Sequence, residues 1–91
     1  MYSLDIRPSL KKKLSKLSKK NKKQAEIIAN KSQEVVKNPQ HYKNLRKPLQ
    51  YLKRIHIDKH FVLVFSVDEN TRTVTLEDFD HHDNIYKKRS S

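Results

Sequence analysis

Residues 61–67, Phe-Val-Leu-Val-Phe-Ser-Val, are apolar at nearly every odd and even position alike. Successive side chains of a strand point to opposite faces, so this strand needs cover on both sides or close to it, as a central strand does. It anchors a sheet. Ahead of it, residues 53–57 alternate, with Ile55 and Ile57 pointing one way and Arg54 and His56 the other. A three-residue turn, Asp58-Lys59-His60, sets Ile57 opposite Phe61 and Ile55 opposite Leu63, which keeps the large apolar residues on one face. A two-residue turn slips the register and exchanges the faces. Asp68-Glu69-Asn70 is read as a second turn, and residues 71–79 as a third strand with Val74 and Leu76 inward and Thr73, Thr75 and Glu77 outward.

The N-terminal half has a different period. Tyr2-Ser-Leu-Asp-Ile6 reads as a short strand, and Pro8 suits the first turn of a helix. Leu10, Leu14 and Leu17 recur at spacings of four and three, while Lys11, Lys12, Lys13, Lys16, Lys19 and Lys20 ring the other faces. Asn21 is read as a cap, followed by a second helix with Ala25, Ile28, Ala29, Val35 and Val36 on its apolar stripe. That helix is expected to close at Asn38-Pro39, since proline disfavours helical geometry before it and asparagine tolerates the left-handed closing conformation. A helical hairpin with one apolar side needs a sheet to lie on. Residues 40–52, broken by Pro48, are expected to be a surface loop, and residues 81–91 a tail with a frayed basic end. The expected fold class is α+β, ordered β-α-α-β-β-β, with a two-helix hairpin packed on a twisted, mostly antiparallel four-stranded sheet. At 91 residues the chain is expected to be one domain.

Charge divides the chain in the same place. Residues 1–50 hold 14 Lys/Arg against 3 Asp/Glu, and residues 51–91 hold 7 against 7, so the net charge of +11 comes from the first half. Such a balance favours a polyanionic partner, nucleic acid or the ribosome, bound by phosphate neutralisation. Lys11, Lys12, Lys13, Lys16, Lys19, Lys20 and Lys53 are the candidate phosphate contacts. Without cysteine there is no disulfide framework and no thiolate metal site, and without glycine there is no glycine-rich phosphate loop. No apolar run reaches the roughly 18 residues of a membrane span, and residues 1–5 lack a signal-peptide core, so a cytoplasmic protein is expected.

The chemistry-bearing residues gather in the second half. RNA cleavage through the 2′-hydroxyl needs a base, an acid and cations to steady the phosphorane, and histidine serves both proton roles near neutral pH. Arg54, His56, His60 and His82 are the right types, and strand pairing can bring them to one edge of the sheet. Tyr86 is suited to stack a base or supply a phenolic proton. Asp80-His81-His82-Asp83 offers four N/O donors, but neighbouring residues seldom converge on one ion, so neither metal nor cofactor is expected. His41 is read as an ordinary surface histidine.

The order of elements, with these residues, resembles the RelE/ParE superfamily of type II toxins over most of the chain. The pieces that carry it are Val35-Val36-Lys37-Asn38-Pro39, Leu45, Pro48-Leu49, Leu52-Lys53-Arg54-Ile55-His56-Ile57, Phe61-Val62-Leu63-Val64-Phe65 and His81-His82-Asp83-Asn84-Ile85-Tyr86. The resemblance implies a toxin that enters the ribosomal A site, cleaves messenger RNA and is neutralised by a RelB-like antitoxin. It is nearest the histidine-using YafQ-like branch, whose histidines match His56 and His82 and whose following aromatic matches Tyr86. On that pattern His56 and His82 share acid and base duties, Arg54 stabilises the phosphorane and Tyr86 orients the RNA, with His60 and Lys47 secondary. The chain departs from the superfamily in having Val62 where RelE proper has a central-strand arginine, His60 where the branch is acidic, and Lys47 where it has histidine. The alternatives are a ParE-like toxin that binds DNA gyrase without cutting nucleic acid, and a non-catalytic RNA-binding module.

Overall fold

The computed structural model describes residues 1–90, apart from the side chains of residues 86 and 88–90. The chain runs β1 (Ser3–Ile6), α1 (Pro8–Lys20), α2 (Lys22–Lys37), a short 3-10 helix (Pro39–His41), β2 (Lys53–Ile57), β3 (Phe61–Asp68), β4 (Thr73–His81) and α3 (His82–Ser90). One mixed sheet has the order β1-β4-β3-β2, with β1 parallel to β4 and the other pairs antiparallel. The expected α+β arrangement of a helical hairpin on a mostly antiparallel four-stranded sheet is the one observed, with a third helix added at the C-terminal end.

The β2–β3 register is the one the hydropathy pattern requires. Ile57 pairs with Phe61 and Ile55 with Leu63 across a three-residue turn. Asp58 takes the left-handed conformation there (φ 60°), which a short polar side chain tolerates. Ile55, Ile57, Leu63 and Phe65 consequently face Leu10 of α1 and Ile28, Val35 and Val36 of α2. Beyond them the β3–β4 ladder carries a bulge, since Val64 pairs with Asp78 and Phe65 with Leu76, leaving Glu77 as the extra residue. The bulge resets the alternation, so Leu76 and Phe79, three apart, both enter the helix-side core. Strand β4 begins at Thr73 and runs to His81, two residues later at each end than the expected 71–79. Asp68 Oδ1 holds the preceding turn by accepting from the Asn70 and Thr71 amides (2.9 and 3.3 Å).

The helices join where expected. The Asn21 side chain accepts from the Gln24 amide (3.0 Å) and caps α2, while its own N–H reaches the Leu17 carbonyl (2.7 Å) and closes α1. The buried stripe of α2 is rotated from the expected one. Gln24, Ile28, Ser32, Val35 and Val36 are buried, whereas Ala25 is half-buried and Ala29 exposed. Two polar members hid this stripe from a hydropathy reading. Each is satisfied, Gln24 Nε2 donating to Asp58 Oδ2 (3.0 Å) and Ser32 Oγ to the Ile28 carbonyl (2.8 Å). Asn38 closes α2 in an extended conformation (φ −154°) rather than the left-handed one expected, and Pro39 starts the next turn.

Two expectations are corrected on the other face of the sheet. Residues 40–52 are not a plain surface loop: Leu45, Leu49 and Leu52 are 3%, 1% and 1% exposed and pack with Val62 and Val64 of β3. The segment closes on itself through Leu45 N–H to the Leu52 carbonyl (2.9 Å) and Leu49 N–H to the Arg46 carbonyl (2.8 Å). Nor do residues 82–90 form an irregular tail, because they make α3, which anchors Ile85 (1% exposed) in the same second core. A largely apolar central strand is thus covered by helices on one side and by an irregular loop plus α3 on the other.

Candidate active site

The second core is also the floor of a cleft of about 420 Å³. Leu45, Val62 and Ile85 form its apolar base, and Arg46, Lys47, Arg54, His56, His82 and Asp83 its polar wall. Arg54 and His56 reach it because they alternate with Ile55 and Ile57 on β2 and therefore face away from the helices. Lys47 and Arg46 come from the loop that Leu45 and Leu49 pin down. His82 arrives from the far side: its N–H donates to the His60 carbonyl (2.9 Å), extending the β3–β4 ladder by one step before α3 begins. Strands β2 and β4 lie on either side of β3, so His56 on β2 and His82 just past the end of β4 enter the cleft from different elements.

Three cations, Arg46, Lys47 and Arg54, stand in the wall against one carboxylate, Asp83. That carboxylate is already engaged, with Oδ1 2.8 Å from His82 Nδ1. Arg54 and His56 also border a second concavity of about 370 Å³ with His41, Tyr42 and Lys43, so the concave surface continues around the β2 edge.

Four of the six residues singled out from sequence as catalytic, Lys47, Arg54, His56 and His82, line this one cleft. His60 does not. It is exposed at the turn, and its ring stacks on His81 (5.8 Å between centroids, 12° between planes). The Tyr86 side chain lies outside the described residues. Arg46 and Asp83 are cleft residues the sequence reading did not place there, although each is the immediate neighbour of one that it did.

The basic residues divide. Lys11, Lys12, Lys16, Lys19 and Lys20 are exposed on α1, which packs on the sheet face opposite the cleft. Lys13 instead serves the fold: its Nζ bonds Asp78 Oδ1 (3.1 Å) and the Phe79 carbonyl (2.8 Å), with Asp80 at 3.5 Å, along the stretch of β4 that β1 leaves unpaired. Lys53 Nζ is likewise tied to the Tyr42 carbonyl (3.1 Å) and Asn44 Oδ1 (3.0 Å).

Three helices on a four-stranded mixed sheet is the fold of RelE-like toxins. The isolated Escherichia coli RelE toxin superposes with a TM-score of 0.73 at 20% identity, covering 97% of this chain and 98% of its own. The Mycobacterium tuberculosis toxin–antitoxin complex RelBE2 contains a chain matching at a TM-score of 0.74 and 18% identity, covering 88% and 96%. Sequence narrows this further. The family model described as "ParE toxin of type II toxin-antitoxin system, parDE" matches residues 4–86, and the chain belongs to that family. A Methanocaldococcus jannaschii protein named "Putative toxin RelE4" is 62% identical over 89 residues, covering 98% of this chain and 95% of the relative. The chain is a toxin of the type II toxin–antitoxin class. Among the described residues no helix is long and apolar enough to cross a membrane.

Proposed function

We propose that this toxin is a ribosome-dependent messenger RNA endoribonuclease that cleaves without a metal. The observation that carries the reading is that His56 and His82 line one cleft together with Arg46, Lys47 and Arg54. One imidazole takes the proton from a 2′-hydroxyl as that oxygen attacks the adjacent phosphorus. The other gives a proton to the departing 5′-oxygen, leaving a 2′,3′-cyclic phosphate and a 5′-hydroxyl. Arg54, with Lys47 and Arg46, neutralises the charge that builds on the phosphorane. Asp83 orients His82 and supports the imidazolium form when it arises. Tyr86 is assigned to RNA orientation from its match to the family aromatic. The exposed lysines of α1 hold surrounding ribosomal RNA from the opposite side of the domain.

A RelB-like antitoxin is the partner that neutralises the toxin. The net charge of +11 and the existence of the RelBE2 relative as a toxin–antitoxin complex support that reading. The test is a translation extract programmed with a defined message, with chelator present and antitoxin absent. Site-specific cleavage ending in 2′,3′-cyclic phosphate is expected. An intact message at saturating toxin refutes the nuclease.

A further inference from the structure

We propose that His81, His82 and Asp83 form a binding site for a divalent transition-metal ion of the Zn²⁺ type. Consecutive residues seldom converge on one point, but here they cross a junction. His81 is the last residue of β4 and His82 the first of α3, and the chain bends between them. The bend brings one donor atom from each of the three residues within 4.8 Å of the others. The Asp83 carboxylate lies between the two rings, with Oδ1 2.8 Å from His82 Nδ1 and Oδ2 3.7 Å from His81 Nδ1. An ion with ligand bonds of about 2.0–2.2 Å places neighbouring donors roughly 3.0–3.5 Å apart, so the two Asp83–histidine separations bracket that span, and a donor pair near the 4.8 Å limit draws in on binding.

His81 Nδ1 accepts the Asp83 backbone N–H over a long 3.3 Å, a bond that coordination at this nitrogen replaces. Ligation takes neutral imidazole and carboxylate, so binding is coupled to proton release. His81 is held from behind by the stacked His60 ring and by the edge of Phe61 (5.9 Å), and both imidazoles are half-buried. Imidazole and carboxylate donors suit Zn²⁺, Ni²⁺ or Cu²⁺ rather than Mg²⁺, with water completing the coordination. An ion here takes up the Asp83 carboxylate that the proposed cleavage uses to orient His82, so it opposes cleavage rather than assisting it; its binding is measured on the toxin without RNA, so the two proposals fail separately.

The test is calorimetric titration of untagged, chelator-treated toxin with Zn²⁺, alongside Mg²⁺. One saturable Zn²⁺ site is expected, with His81→Ala and Asp83→Asn each weakening affinity at least about 10-fold and Mg²⁺ giving no binding. Imidazole NMR on the wild type, which needs no variant to fold, should show His81 and His82 resonances moved by Zn²⁺ while His41 stays. The proposal is overturned by absent saturable binding, by affinity indifferent to both substitutions, or by shifts that spare His81 and His82.

Discussion

Replacing Ile85 by alanine should release α3 without unfolding the sheet. Among its described side chains Ile85 is the buried one, 1% exposed against Leu45, Leu49, Leu52, Val62 and Val64. Burying such a side chain contributes about 1.5–3 kcal/mol, and a nine-residue helix does not hold itself in water. Losing about 2 kcal/mol of docking energy raises the undocked population roughly 30-fold, with a range of roughly 10- to 150-fold over that interval. This opening is local, since Ile85 belongs to the second core and the helix-side core of Leu10, Ile28, Leu63 and Phe65 is untouched. Native-state amide exchange is the assay. Protection in α3 should fall by that factor while the β3 amides keep theirs. Cleavage should fall in step, since His82 and Asp83 form the first turn of α3. Equal loss of protection in α3 and β3, or no loss in α3, refutes the reasoning.

Three further outcomes are expected. His56→Ala and His82→Ala should each slow cleavage by about 10²–10⁴ with melting temperature little changed, since both rings lie outside the two cores; primer extension on the programmed message measures it. Lys13→Met should cost stability of no more than about 1 kcal/mol, because its side chain is 39% exposed, and leave the salt dependence of ribosome binding alone. Lys11→Met should do the reverse, reducing the log–log salt slope by about one if Lys11 contacts a phosphate. Glu69 accepts from Tyr2 Oη (2.6 Å) and from Gln40 Nε2, and these bonds hold its carboxyl below its ordinary 4.5, while the same Glu69 bond raises the Tyr2 phenol above 10.0. The stability from the depressed carboxyl is present above pH 4.5 and fades as pH falls through the lowered value; that from the raised phenol is lost as pH climbs through the raised one. The stability gap between wild type and Glu69→Gln in urea titrations should therefore be widest between those limits, and a gap independent of pH contradicts the assignment.

Much of the architecture was legible in the residues because alternation is a strict geometric rule. Ile55, Ile57, Leu63 and Phe65 can share a face in only one register, and that register is the observed one. The same rule sent Arg54 and His56 to the opposite face, where they line the cleft with Lys47 and His82. It stopped at Glu77, since a bulge leaves no mark in a hydropathy pattern. In α2, buried Gln24 and Ser32 defeated the reading because their polar groups are satisfied only by partners elsewhere in the fold or one turn back.

The sequence by itself determined the two periodicities, the strand register, the charge asymmetry and the residue types on each face of β2, all of which depend on local spacing. Only tertiary structure decided what covers the second face of β3. Leu45, Leu49 and Leu52 recur at the helical spacing of four and three, yet Pro48 falls among them and no helix forms there, and Ile85 lies in a largely polar segment, so their burial emerges only when loop, strand and α3 close on one another. That closure carries Arg46 and Lys47 to the rim, separates His60 from the cleft, and folds His81, His82 and Asp83 around a common point. Contacts between segments far apart in the chain set these positions, and spacing along it does not encode them.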